Sequence, residues 1–250
     1  MIYLIFCYTL VFASVIGGFV MHGGNLHTLW QPFEGVIIIG GAIGAFILAN
    51  GAEGSKKIFR EIGQALVDKK VDKQYNKQLL SCLYLFLVKT KKVGKVGVEN
   101  DFENPYGSEV FSRSPLVLQD KEALSFIVDY LRLIGMSQNQ NAEEVSMLMS
   151  MDIKTRRKVK MRSANSVQKC ADGLPAFGIV AAVMGVIVVM GSVGEVSNAE
   201  LGNLIAGALV GTFLGILLCY GFVGPLASIL ESKANKEEKK YETVKTVLIS

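Results

Sequence analysis

The charges of this chain are segregated, and that constrains the fold more than any motif does. All 26 lysines and arginines lie in two places: 21 between Lys56 and Lys169, and five from Lys233 onward. Around them stand four runs without Asp, Glu, Lys or Arg: Met1–Phe33, Gly35–Ala52, Gly173–Gly194 and Leu201–Leu230. A helix rises about 1.5 Å per residue and a bilayer core is about 30 Å thick, so some 18 to 22 such residues suffice to cross. The expected fold is all-α: a polytopic membrane protein with four transmembrane helices and a helical cytoplasmic domain. The expected division is spans one and two with a short outer loop (1–52), a loop domain (53–172), spans three and four (173–230) and a tail (231–250).

Orientation follows from basic residues near the span ends. The linkers at about residues 21–33 and 192–200 hold no Lys or Arg, and the second carries Glu195 and Glu200. Both are expected outside, with the basic loop, the tail and the N-terminus in the cytoplasm. The net charge of +4 is then a topological signature and not a nucleic-acid footprint. Span one lacks the charged leader and small-residue cleavage site of a signal peptide. Cys7, Cys82, Cys170 and Cys219 show no paired spacing, and read as small apolar residues.

The loop carries helical patterns of its own. Ile58–Val67, Lys77–Lys91 and Asp120–Ile134 read as helices; the last places Leu124, Ile127, Val128 and Leu131 on one face. Ala142–Met151 is expected to lead back to span three. The stretch VGKVGVENDFENPYGSEVF reads as a turn-rich bend. No nucleotide fingerprint, metal-ligand spacing or nucleophile–base pair is present, so a soluble type of enzyme is not expected. Gly40-Gly41-Ala42-Ile43-Gly44 lies inside a span and reads as a close helix approach.

Spans three and four carry small-residue faces. Gly207, Gly211 and Gly215 are spaced by four in span four, which lets another helix approach closely. Gly178, Ala182 and Gly185 do the same in span three. Pro175 and Pro225 read as the start of one helix and the end of another, with a hinge as the second reading. Thr212 either bonds its own i−4 carbonyl or lines an ion path. Glu34, near Trp30, reads as an interfacial group at the outer end of span two.

The segments GGFVMHGGNLHTLWQPFEGVIIIGGAIGAFI, ENDFENPYGSEVF, LSFIVDYLRLI, DGLPAFGIVAAVMGV and ELGNLIAGALVGTFLGILLCYGF resemble the MotA family, the A subunits of bacterial flagellar stators, from one end of the chain to the other. TolQ and ExbB are more distant relatives within the same proton channel group. The resemblance implies a homo-oligomer, a pentamer, around a MotB-like single-span partner that supplies an essential aspartate. It implies ion flow that produces torque on the flagellar rotor (the C-ring), in the inner membrane, with no cofactor. By motif, Pro175 and Pro225 match the prolines of torque coupling, and Thr212 the pore threonine. Ala182 stands where sodium-type relatives have threonine, and alanine offers sodium no oxygen ligand, which implies H+. Glu99 matches an acidic rotor-contact residue, and Lys91 stands where relatives have arginine.

Two departures accompany the resemblance. Lys154–Arg162 holds six basic residues in nine, where relatives run acidic or mixed; it reads as lipid-facing or as an altered rotor contact. The sequence also ends about twenty residues beyond span four, short of the tails of many relatives. Two other readings therefore stand beside the stator: an ExbB/TolQ-like energiser of an outer-membrane system, and a diverged, non-conducting scaffold.

Overall fold

The structure is a computed structural model that describes residues 2–67, 72–94, 96–136 and 141–249. These residues are mostly helical, without a strand, and they group into two compact units. One contains residues 1–68 and 160–232, the other residues 69–159 and 233–250. These limits differ from the topological segments because compactness follows packing; the tail groups with the loop helices.

The first unit holds the membrane spans. Among the described residues, four helices are long and apolar enough to cross a membrane. Span one is α1 (Ile2–Met21). A short helix, α2 (Leu26–Leu29), follows, its N-terminus capped by Asn25, whose side chain accepts from the His27 N–H. Span two is the first part of α3 (Pro32–Val67), which bends at Gly51 with φ 70° and ψ 166°. Only glycine takes that conformation readily. Around the bend, Asn50 donates to the Phe46 carbonyl, Ser55 to the Gly51 carbonyl, and Ser166 to Asn50. Beyond it, Ile58 packs with Phe46, Val167, Ala227 and Leu230.

Span three is the C-terminal part of one 50-residue helix, α9 (Ala142–Gly191), and span four is α10 (Asn198–Leu217), capped by Ser197. A π-helical segment, Leu218–Val223, then leads into α11 (Gly224–Ile249). Span one docks on this π segment: the Tyr8 hydroxyl donates to the Phe222 carbonyl at 3.0 Å, and the two rings stack at 5.3 Å. Large apolar side chains elsewhere on the spans, such as Phe6, Leu10, Val183 and Ile187, are exposed, as a lipid or partner surface requires.

The second unit is a helical domain with its own core. It contains α4 (Asp72–Val93), α5 (Glu99–Glu103), α6 (Glu109–Ser112), α7 (Pro115–Gln119) and α8 (Lys121–Met136). The first part of α9 and the last part of α11 complete it. The apolar face expected on α8 is real: Leu124, Ile127, Val128 and Leu131 are all buried, beside Leu83, Phe111 and Met149. The ENDFENP bend is a chain of short capped helices more than an open turn. Asp101 is buried, accepts from the Lys89 ammonium at 2.6 Å and the Ser108 hydroxyl at 2.7 Å, and so ties α4 to this segment. Ser108 in turn accepts from the Val110 and Phe111 N–H groups at the start of α6.

The tail is part of this core. Tyr241 and Val244 are buried, and the Tyr241 ring lies 4.8 Å from that of Phe126. The basic segment explains part of the attachment. Arg156 pairs with Asp152 at 3.0 Å and lies over the rings of Phe126 and Tyr241, and Arg157 pairs with Glu238 at 3.0 Å. Two of the six basic residues are thus internal staples, while Lys154, Lys158 and Arg162 remain exposed.

Asp120 fastens the tail a second time. It accepts from the Lys240 ammonium at 2.7 Å and the Tyr75 hydroxyl at 2.8 Å. Burial alone would raise the Asp120 carboxyl, but the hydrogen bond and charge of Lys240, with the Ala123 N–H and Tyr75, outweigh it and hold the group below its ordinary value. A depressed carboxyl contributes stability that is complete above the ordinary value near ~4 and is lost as pH falls through the folded value. Asp120→Asn should therefore cost about 2 kcal/mol at neutral pH. Thermal melts of the purified protein check this: the gap between variant and unmodified protein should close as the medium is acidified below ~4.

Candidate ion path between spans three and four

Spans three and four run antiparallel and meet at their small residues. A Cβ added at Gly215 would lie 2.7 Å from the Leu174 carbonyl oxygen, 3.0 Å from the Gly178 Cα and 3.2 Å from the Pro175 Cα. A Cβ added at Gly211 would lie 3.0 Å from the Ala181 side chain and 3.2 Å from the Ala182 nitrogen, and one at Gly185 would lie 2.8 Å from the Ala208 side chain. Backbone therefore packs on backbone for about 15 Å, the rise from Pro175 to Gly185. Lipid offers no hydrophobic force between helices, so contact this close is what holds the pair. Gly41 serves likewise for span two, giving place to the Phe177 ring, whereas a Cβ at Gly40 or Gly44 would meet nothing within 4 Å among the described residues.

Neither proline is a simple helix boundary. Pro175 lies inside α9 and against Gly215. Having no N–H, it leaves the Ala171 carbonyl without its i+4 donor, which loosens the ladder at that point without ending the helix. Pro225 is the second residue of α11 and follows the π turn, where the Gly224 N–H reaches back five residues to the Cys219 carbonyl. The helical path continues through both because tertiary packing holds the flanking turns. A proline inside one span and a π turn after the other are the kinds of place where such helices bend.

Thr212, next to Gly211, is half-buried. Thr90, Thr155, Thr243 and Thr246 each donate to their i−4 carbonyl, but Thr212 has no hydrogen bond among the described residues. Its hydroxyl is left for another group. Ala182, also half-buried, brings no oxygen of its own side chain to the slot. The slot thus unites Pro175, the Ala182 backbone, Gly211 and Gly215, while Gly207 packs against Gln31 instead; Thr212 is the next residue after Gly211, about 100° round α10. Pro225 lies beyond the slot, after the π turn.

Glu34 is where the sequence reading needs correction. It is not a solvated group at the span end: it is 8 % exposed, and its Oε2 has no hydrogen-bond partner among the described residues. A Cβ at Gly211 would stand 2.9 Å from that oxygen. Only its position at the start of α3, three residues after Gln31, hints at this in the sequence, since residues three apart share a helix face.

Lys91 and Glu99 belong to the other unit. Both are exposed, and neither has an ion pair among the described residues. Lys91 is in the last turn of α4 and Glu99 opens α5. Gly94, at φ 74°, caps α4 and turns the chain back, so both residues lie at the same end of that unit. Lys89, only two residues away, is consumed by Asp101.

Four helices of membrane-spanning length with a close-packed seam between two of them are the build of an integral membrane protein. Comparison with known proteins makes this particular. Residues 5–94 match the family description "Motility protein A N-terminal", and residues 119–243 match "MotA/TolQ/ExbB proton channel family". The chain is 44% identical to Motility protein A of Escherichia coli over 97% of its own length and 82% of that protein. It is 46% identical to Motility protein A of Salmonella typhimurium over the same shares, and 32% identical to Chemotaxis protein LafT of Vibrio parahaemolyticus over 96% and 84%. This chain belongs to the MotA/TolQ/ExbB proton channel family, in its motility protein A branch. Its fold is that of the Campylobacter jejuni MotAB structure (TM-score 0.75, 16% identity, 98% of this chain and 87% of that one). The Bacillus subtilis MotAB stator complex is similar (TM-score 0.72, 23% identity, 98% and 88%).

Proposed function

We propose that this chain is the A subunit of a flagellar stator. With a MotB-like single-span subunit it forms a proton-conducting complex that couples ion flow to torque on the rotor. The likeness to motility proteins over nearly the whole chain carries this reading, and it favours a stator over an ExbB/TolQ-like energiser or a silent scaffold. The slot geometry fits it. Spans three and four offer a narrow wall with a free threonine hydroxyl, and no charged group on the spans facing it except Glu34; the main ion-carrying carboxylate comes from the partner. Several copies, five by family resemblance, surround that partner in the inner membrane, with both termini in the cytoplasm. Protonation of the partner's aspartate changes the charge facing the slot. The loosened ladder at Pro175 and the π turn before Pro225 let the spans respond, and the exposed Lys91 and Glu99 present the movement to the rotor. The ion is a proton, since Ala182 provides no ligand for sodium.

Expressed with its partner in a non-motile stator-null cell, the chain should restore swimming that collapses when a protonophore is added. Normal membrane insertion without swimming would refute the assignment for that pairing. Swimming that tracks external sodium would refute the proton.

A further inference from the structure

The proposed path takes its main carboxylate from the partner, which leaves Glu34 unexplained. Its side chain is more than nine-tenths buried, and its Oε2 has no hydrogen bond among the described residues. The atoms about it come from other spans. A Cβ at Gly185 of α9 would stand 3.7 Å from Oε1, and one at Gly211 of α10 would stand 2.9 Å from Oε2. Gly211 in turn abuts Ala181 and the Ala182 nitrogen and precedes Thr212. The carboxylate is therefore aimed into the slot. Gln31, from the preceding turn, lies against Gly207 on the same helix.

Charge compensation is missing. The stretches of α3, α9 and α10 that surround Glu34 carry no other charged residue. On the elements packed nearby, the titratable groups are His27 of α2 and Glu200 in the first turn of α10, and both are exposed. Glu34 has no ion pair among the described residues. An unpaired buried carboxylate is strongly disfavoured as an anion, so such a group takes up a proton or a cation. An ionisable residue buried among spans marks an ion pathway unless a structural partner accounts for it. Here none does, and the glycines that make room for it would serve packing equally well with an apolar side chain in its place.

We infer that Glu34 is a proton-carrying residue of this chain itself, at the end of the slot remote from Pro175. It takes a proton from water at the α2 side, becoming the neutral carboxylic acid, and passes that proton to the carboxylate that the partner supplies, which becomes the acid as Glu34 returns to the anion. The inference rests on the stator reading for its direction, and not for the protonation itself.

The test uses the full chain assembled with its partner. Recovery of swimming by the unmodified complex tests the stator reading alone. Glu34→Gln keeps the shape and removes the exchangeable proton; it should insert and assemble normally while proton flux falls roughly a hundredfold. Glu34→Asp should keep conducting, with its dependence on external pH displaced. Flux of Glu34→Gln equal to that of the unmodified complex at every external pH would overturn the inference. So would an unchanged pH profile for Glu34→Asp should the glutamine variant fail to assemble. A third measurement needs no variant. Infrared spectra of the complex with isotope-labelled glutamate should show a protonated glutamate carbonyl at neutral pH, and its absence overturns the inference even where swimming is not restored.

Discussion

Gly215→Val should cost about 3 kcal/mol of stability in the span pair and abolish torque. The reason is what the new side chain would meet. The nearest atoms are the Leu174 carbonyl oxygen and the α-carbons of Gly178 and Pro175, all backbone, and backbone cannot rotate aside as a side chain can. The two spans must separate along the slot, which also displaces Gly211 from Ala182 and changes the wall beside Thr212. Gly202→Ala in the same helix is the control, because a Cβ there meets nothing within 4 Å. Thermal melts of the purified complex, read beside swimming speed, check the expectation. A valine variant that melts with the unmodified complex would show that the slot does not hold the spans together.

Tyr241→Ala should destabilise the loop domain by about 3–5 kcal/mol, the cost of removing a large buried aromatic side chain. Tyr241 is 2 % exposed. Its ring packs at 4.8 Å on Phe126 and faces both Arg156 and the Lys240 ammonium. Its loss empties the centre of the contact between tail and loop helices and takes one of two aromatic faces from each cation, leaving Arg156 over Phe126 and Lys240 over Tyr75. Tyr241→Phe keeps the ring and should keep most of the stability. Limited proteolysis of the tail, with near-ultraviolet circular dichroism, distinguishes the two. Equal resistance in the alanine variant would mean that the tail is not part of the core.

The spans were legible because the bilayer imposes a rule that one dimension can express: about twenty residues without charge. The apolar face of α8 was legible for a similar reason, since its period alone marks Leu124, Ile127, Val128 and Leu131. The small-residue faces of spans three and four were also visible, but their partners were not: that Gly215 meets Pro175 and Gly211 meets Ala182 depends on antiparallel register. The prolines misled because local chemistry marks them as boundaries, whereas packing carries α9 through Pro175. The tail was hidden by its charges. Tyr241, Val244 and Leu248 share a helical face, yet Lys236, Glu237, Glu238, Lys239 and Lys240 precede them and read as solvated. Glu34 was hidden by its place at a span end, where a carboxylate ordinarily meets water; its burial is decided by two helices more than a hundred residues away in sequence.

The π turn at Leu218–Val223 has a consequence for chain length. A π turn holds one residue more than the α-helix around it requires. Span four presents its glycines to span three and α11 presents Tyr241 and Val244 to the loop core, so each helix has a face that cannot be rotated freely. The joint between them is the one place where the backbone already stores a surplus residue. A single deletion there can be absorbed by reverting to an α turn while both faces keep their direction. A deletion one or two turns away would swing one of them by about 100°, the angle between successive residues of an α-helix. Along this helical path, a single-residue deletion is therefore expected to be borne best in the segment that also docks span one.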